Sequence, residues 1–239
     1  VLPQGPLEGA VILGELSLDG GLRPVRGVLP SLIAAFKSGI TRAIVPRANS
    51  GEAELMEQME ILSFDHISEI YRWLSTGEYP FNEALELELS ESDEVLDFAD
   101  VAGQRKARFA AEVAATGGHH LLLIGPPGAG KTMIASRLPG ILPPLTIEEA
   151  LEVTAIHSIA DGLNSRSAMS RVAPIVAPHH SASRASIVGG GGRAIAPGAI
   201  SLANRGVLFI DEAEMFLEDR ETAPAWLLPI INEFLAHTG

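Results

Sequence analysis

The sequence predicts an α/β chain of two units, a parallel-sheet core preceded by a smaller, partial α/β domain. Three observations predict it. Short apolar runs alternate with helix-spaced segments from Val11 to Leu74; the apolar run His119 to Ile124 leads through a glycine-rich loop into a helical segment; and Val207 to Ile210 is a second apolar run, ending in two carboxylates.

The elements follow in order. Val11 to Leu18 partly alternates as a strand does, Asp19-Gly20-Gly21 is a turn signal, and Leu29 to Phe36 has helical spacing. Arg42 to Val45 reads as a short strand. Asn49, with Glu52 three residues later, is a capping box expected to open a helix to about Gln58. Ile61 to Phe64 is a further strand and His66 to Leu74 a helix, so residues 1–76 form the first domain. Residues 77–97 carry Gly77, Pro80 and a run of Glu and Asp, with Leu85, Leu87 and Leu89 alternating with Glu86 and Glu88. They read as an acidic linker or an exposed edge strand. Residues 98–239 are the second domain. It opens on Phe98 to Gln104 and an Ala-, Arg- and Glu-rich helix that stops at Gly117-Gly118.

A chain of 239 residues, 46% hydrophobic and 20% charged, can bury a core and has no apolar run long enough for a membrane span, so a soluble protein without a membrane partner is expected. The chain has no cysteine, which excludes disulfides, thiolate metal sites and cysteine nucleophiles. That absence, with no signal-like start, fits a cytoplasmic location. Val1 stands where a start Met is usual, which suggests a fragment. The net charge of −13 argues at first sight against a nucleic-acid partner. Its distribution reverses the argument: residues 78–100 hold nine acidic side chains and no basic one, whereas 101–206 hold ten basic and five acidic. The acidity mostly reports the linker, and the middle of the chain is basic.

Gly125-Pro126-Pro127-Gly128-Ala129-Gly130-Lys131-Thr132 fits the phosphate-loop pattern G-x-x-x-x-G-K-[ST], with a strand expected before it and a helix from Met133 to Leu138 after it. Glycines let the backbone curl so that successive N–H groups converge on an anion, and the helix N-terminus adds partial positive charge. This is the setting for ATP: residues 125–133 are the expected nucleotide site, with Lys131 on the β and γ phosphates and the Thr132 hydroxyl on Mg²⁺. Asp211, at the end of the second apolar run, is the expected partner on the Mg²⁺ side, and Glu212 the group that polarises the attacking water. Each motif makes the other more specific, because a strand ending in acid is common alone. After Glu212 the only basic side chain is Arg220, so the groups that complete hydrolysis have no candidates, and the second domain is expected to be truncated.

At these residues the chain resembles a known family. Phe98 to Leu145, with Asp100-Val101-Ala102-Gly103-Gln104, the phosphate loop and Leu138-Pro139-Gly140-Ile141-Leu142-Pro143-Pro144-Leu145, resembles the magnesium-chelatase-like AAA+ ATPases of the competence protein ComM type. Glu152 to Ser158, Ala177 to Ser183 with Gly189 to Gly192, and Pro197 to Gly206 resemble the same family, over about residues 98–214. The resemblance implies a P-loop NTPase of the AAA+ class that hydrolyses ATP as a homo-oligomeric ring, expected to be a hexamer. Residues 10–75 resemble the second half of the Lon-protease-like, S5-like domain that precedes it. Arg26 to Leu32, where a protease would place its lysine, holds none, so peptidase activity is not expected, and Ser31 and Lys37 read as surface residues of an amphipathic helix. Glu221 to Gly239, with Pro224 and Pro229, departs from the family pattern.

His179 and His180 point to opposite faces of an extended segment with no third ligand spaced near them, and read with His119 and His120 as structural. Gly189 to Gly192, between Arg184 and Arg193, reads as a mobile loop. Two readings of it stay open: Arg184 and Arg193 contact an anionic substrate such as DNA, or the loop is a solvated hairpin. Three functions follow: an ATPase that remodels a partner, a DNA-translocating motor in competence or recombination, and a nucleotide-gated binding module without turnover.

Overall fold

The apolar run around Ile44 forms the middle strand of a three-stranded sheet in the computed structural model, which describes residues 7–79, 95–161, 169–179, 182–190 and 196–211. Along the chain come β1 (Ala10–Ile12), β2 (Glu15–Leu16), β3 (Leu22–Arg23), α1 (Val28–Lys37), β4 (Arg42–Pro46), α2 (Ser50–Ala53), β5 (Glu60–Phe64) and α3 (Ile67–Thr76). They continue with α4 (Arg105–Gly117), α5 (Lys131–Ala135), α6 (Ile147–Asp161), β6 (Ile175–Val176), α7 (Arg184–Val188), β7 (Gly189–Gly190), β8 (Ala196–Pro197), α8 (Ala199–Leu202) and β9 (Val207–Leu208). Two units result, residues 1–92 with 147–170 and residues 93–146 with 171–239.

In the first unit the order is β1-β4-β5, all parallel, in register Ala10 with Arg42 and Arg42 with Glu60. Ala43, Ile44 and Val45 are buried without alternation, as a parallel strand covered on both faces requires. Helix α1 places Val28, Leu29, Leu32 and Ala35 on its buried stripe and Lys37 at its exposed C-terminal turn. Helix α6, from the stretch that the sequence reading assigns to the second domain, packs on this stripe: Ala155 is buried in the α1 cluster and Leu151 lies against it. On the far side of the sheet, Phe64 is fully buried, with Trp73 and Tyr79 rings at 5.9 and 5.4 Å.

The expected capping box is not formed. Helix α2 is a single turn, and Asn49 makes no side-chain bond to it. Asn49 is 1% exposed and grips Val25, accepting its N–H at 3.1 Å and donating to its carbonyl at 3.0 Å. Glu52 turns to the Leu29 N–H, 2.8 Å away in the first turn of α1. Both side chains satisfy backbone groups with restricted access to water, where an unmade bond costs most, and the local cap yields to them.

The second unit gathers Phe98, Val101, Ala111 and Ile134, with Leu121 and Leu123 packed against them. Residues 119–124 were expected as a strand, but among the described residues they pair with none. Their exposure still alternates: Leu121 and Leu123 turn to the core, while Leu122 and Ile124 are exposed. A ladder needs a neighbour as well as an extended backbone, so the period of two is present and the strand is not. Strand β9 forms over Val207–Leu208, the first half of the expected run Val207 to Ile210, and pairs parallel to β6. Gly189 and Gly190, expected in a loop, pair antiparallel with Ala196 and Pro197. A Cβ on Gly189 would lie 2.9 Å from the Gly198 nitrogen, so Gly189 serves close backbone approach there. The linker from residue 80 to 94 and the tail Glu221 to Gly239 lie outside the described residues.

Candidate functional site

The glycine loop is built between two anchored ends. Leu121 and Leu123 hold its N-terminal side in the core, and Ile134 and Ala135, each 2% exposed, hold the far side. Between them Gly128 has φ 76° and Gly130 φ 83°, the left-handed region that a Cβ disfavours. The Ala129 N–H donates to the Pro126 carbonyl at 3.2 Å, closing the turn. Gly130 is the N-cap of α5. That helix covers Lys131–Ala135, shorter than the expected Met133 to Leu138, and the chain tightens into a 3-10 turn at Leu138–Ile141 with Pro139 inside it. Arg137 binds this end down by donating to the carbonyls of Asp97 at 3.1 Å and Met133 at 3.2 Å.

Lys131 bends back onto its own loop. Its Nζ donates to the carbonyls of Gly125 at 2.8 Å and Pro126 at 3.2 Å. The ammonium is thus held at the loop mouth by two neutral acceptors, each weaker for a cation than a phosphate oxygen. Thr132, the next residue, is exposed. A lone ammonium beside a curled, glycine-built backbone fits a polyphosphate, and an exposed hydroxyl next to it fits a hard cation such as Mg²⁺.

A side chain from the Asp100-Val101-Ala102-Gly103-Gln104 motif reaches this loop. Gln104 donates from Nε2 to the Ala129 carbonyl at 2.8 Å. Sequence spacing could not have found it, since the two residues are 25 positions apart.

Asp211 lies three positions past Leu208, beyond the C-terminal end of the parallel strand β9, the edge where α/β sheets hold their ligands. It is half-buried. The strand reaches that point because Val207 N–H bonds the Pro174 carbonyl at 2.8 Å and Phe209 N–H the Val176 carbonyl at 2.9 Å. Glu212, expected as the water-polarising group, lies outside the described residues, as do Arg193 and His180. Arg184 opens α7, and its side chain is likewise outside them. No group of three or more metal-ligating His, Cys, Asp or Glu side chains occurs among the described residues. No helix among them is long and apolar enough to cross a membrane.

Comparison with known proteins gives a consistent result. The family model for magnesium chelatase, subunit ChlI, matches residues 97–222, and that for subunit ChlI of Mg-chelatase matches residues 3–49. An uncharacterized protein of Mycobacterium tuberculosis is 49% identical over 222 residues, covering 92% of this chain and 44% of that protein. The uncharacterized protein YifB of Escherichia coli is 41% identical over 229 residues, 96% of this chain and 44% of its own length. Competence protein ComM of Haemophilus influenzae is 41% identical over 211 residues, 85% of this chain and 40% of its own. The chain thus spans less than half the length of these relatives.

Proposed function

Because the chain belongs to the magnesium chelatase, subunit ChlI family, we propose that its second unit binds ATP with Mg²⁺ and that the whole protein hydrolyses it. The observation that carries the reading is the loop itself: positive φ at Gly128 and Gly130, and a Lys131 ammonium bonded only to the Gly125 and Pro126 carbonyls among its described contacts. Residues 125–133 would hold the phosphates, and Lys131 would exchange its two carbonyl acceptors for β and γ phosphate oxygens. Thr132 and Asp211 would hold Mg²⁺, which when bound supplies charge neutralisation at those oxygens. Glu212 would orient the attacking water and accept its proton.

Changing Lys131→Ala tests the binding claim: nucleotide affinity is expected to be lost, and unchanged affinity in a folded chain would sink it. Turnover is tested by phosphate release from the whole protein beside its Glu212→Gln variant. A variant that matches the parent removes Glu212 from the reaction, and a parent that binds without releasing phosphate makes the protein a nucleotide-gated binding module. A homo-oligomeric ring, a hexamer, is the assembly proposed for the whole protein in the cytoplasm.

A second reading, a motor that moves DNA in competence or recombination, is supported by the likeness to a competence protein and by the basic balance of residues 101–206. Arg184 and Arg193 are the proposed DNA contacts. The test is a salt-dependent DNA affinity that falls when both are changed to Ala. A remodelling role on a protein partner gains if no such affinity exists.

A further inference from the structure

Gln104 sits where a side chain is least expected. It is the N-cap of α4 with φ 46° and ψ 36°, and Gly103 before it has φ 69°. Two successive left-handed residues make a tight reversal, and glycine or asparagine would fit the second position with less strain. A glutamine held there points to a task for its carboxamide. Its Nε2 donates to the Ala129 carbonyl at 2.8 Å, inside the glycine loop. A Cβ added to Gly130 would lie 3.9 Å from the same nitrogen, so the carboxamide lies beside the Ala129–Gly130 peptide as a whole.

That peptide has one freedom that matters. Its plane can flip about the flanking bonds, because Gly130 tolerates either sign of φ. No cis peptide occurs among the described residues, and in a trans peptide the carbonyl and the following N–H point to opposite sides. Holding the Ala129 carbonyl on Gln104 therefore turns the Gly130 N–H away from Gln104 and keeps it there. On the loop's own rim the Gly125 and Pro126 carbonyls are taken by Lys131. Whether the Gly130 N–H is available to an anion is then set by which way the Ala129–Gly130 plane faces.

We infer that Gln104 is a positioning residue of the phosphate loop, clamping the Ala129–Gly130 peptide so that the Gly130 N–H is presented to the phosphates of a bound nucleotide. This rests on the nucleotide reading above. Gln104 touches neither substrate nor metal in this role; it acts through the backbone it holds.

The experiment is a titration of the intact chain with Mg²⁺ and a fluorescent ADP analogue, for the parent, Gln104→Met, Gln104→Glu and Lys131→Ala. Gln104→Met keeps the length and loses the donor, and is expected to weaken binding about tenfold. Gln104→Glu sets a carboxylate against the Ala129 carbonyl. It is expected to weaken binding at neutral pH and, relative to the parent, to recover as falling pH protonates the carboxyl and restores a donor. Parent-like affinity in Gln104→Met, with binding lost in Lys131→Ala, would overturn the inference and leave the nucleotide reading intact. Equal binding by parent and Lys131→Ala would overturn both. Should Gln104→Met lower the nucleotide-free melting temperature, Gln104→Glu decides: recovery at low pH upholds the clamp, and a pH-independent deficit overturns it.

Discussion

Leu145 and Arg171 hold each other through two bonds, Leu145 N–H to the Arg171 carbonyl and Arg171 Nε–H to the Leu145 carbonyl, both 2.8 Å. The chain between them leaves and returns at one point. Within that excursion lies α6, whose Ala155 and Leu151 pack into the core of the first unit with α1. A stretch that reads in the sequence as part of the glycine-loop domain thus completes the hydrophobic cover of another.

The excursion is fastened by a polar contact. Ser158, 5% exposed, donates its hydroxyl to Glu52, which also accepts the Leu29 N–H. Glu52→Ala strands two donors and is expected to cost about 2–3 kcal/mol; Ser158→Ala should cost about 1 kcal/mol. Urea unfolding of both single variants and the double variant checks this. A coupling energy of about zero would show that the two side chains do not act together.

Asn49 is the buried clasp of the Val25 backbone. Asn49→Ala leaves the Val25 N–H and carbonyl unpaired and should cost about 2–4 kcal/mol. Asn49→Asp keeps the acceptor for the N–H but faces the Val25 carbonyl with a second oxygen. Its deficit should shrink at acid pH, where the carboxyl can donate. Unfolding midpoints at neutral and acid pH give the comparison.

Gly206 stands immediately before β9. A Cβ there would lie 2.0 Å from the Pro174 carbonyl oxygen, a backbone atom that cannot step aside. Gly206→Ala should push β9 off β6, lower stability by about 1–3 kcal/mol and displace Asp211. Thermal melting reads the first effect. The second predicts loss of Mg²⁺-dependent but not Mg²⁺-independent nucleotide affinity.

Asp19 supplies a pH signature. The Ser17 hydroxyl donates to its carboxylate, the Gly21 N–H adds a second bond, and together they hold its pKa below the usual aspartate range. A carboxyl whose pKa is lower folded than unfolded contributes stability above the ordinary value and loses it as the pH falls through the folded one. Asp19→Asn should therefore flatten the acid limb of the stability curve without altering its slope near neutrality. An unchanged acid limb would remove the turn from that transition.

Much of the fold was legible because it rests on local signals. The buried run Ala43 to Val45, the α1 stripe and the glycine stop at Gly118 follow from periodicity and from φ values that only certain residues adopt cheaply. The glycine loop was legible for the same reason, since glycine tolerates the positive φ that Gly128 and Gly130 adopt. Asn49 and Glu52 have the spacing of a capping box, but their partners, Val25 and Leu29, are more than twenty positions away.

The sequence by itself determined the local chemistry: which residues can take a curled, positive-φ backbone, where an ammonium and a hydroxyl follow, and which apolar run leads to acid. Backbone sterics and residue type act over a few positions, so these can be read from spacing. Only the tertiary structure decided that α6 completes the first unit, that Asn49 and Glu52 leave their own helix, and that Gln104 reaches Ala129. Those outcomes depend on which distant apolar stripe lacks cover and which buried N–H or carbonyl lacks a partner, and both are properties of the packed chain.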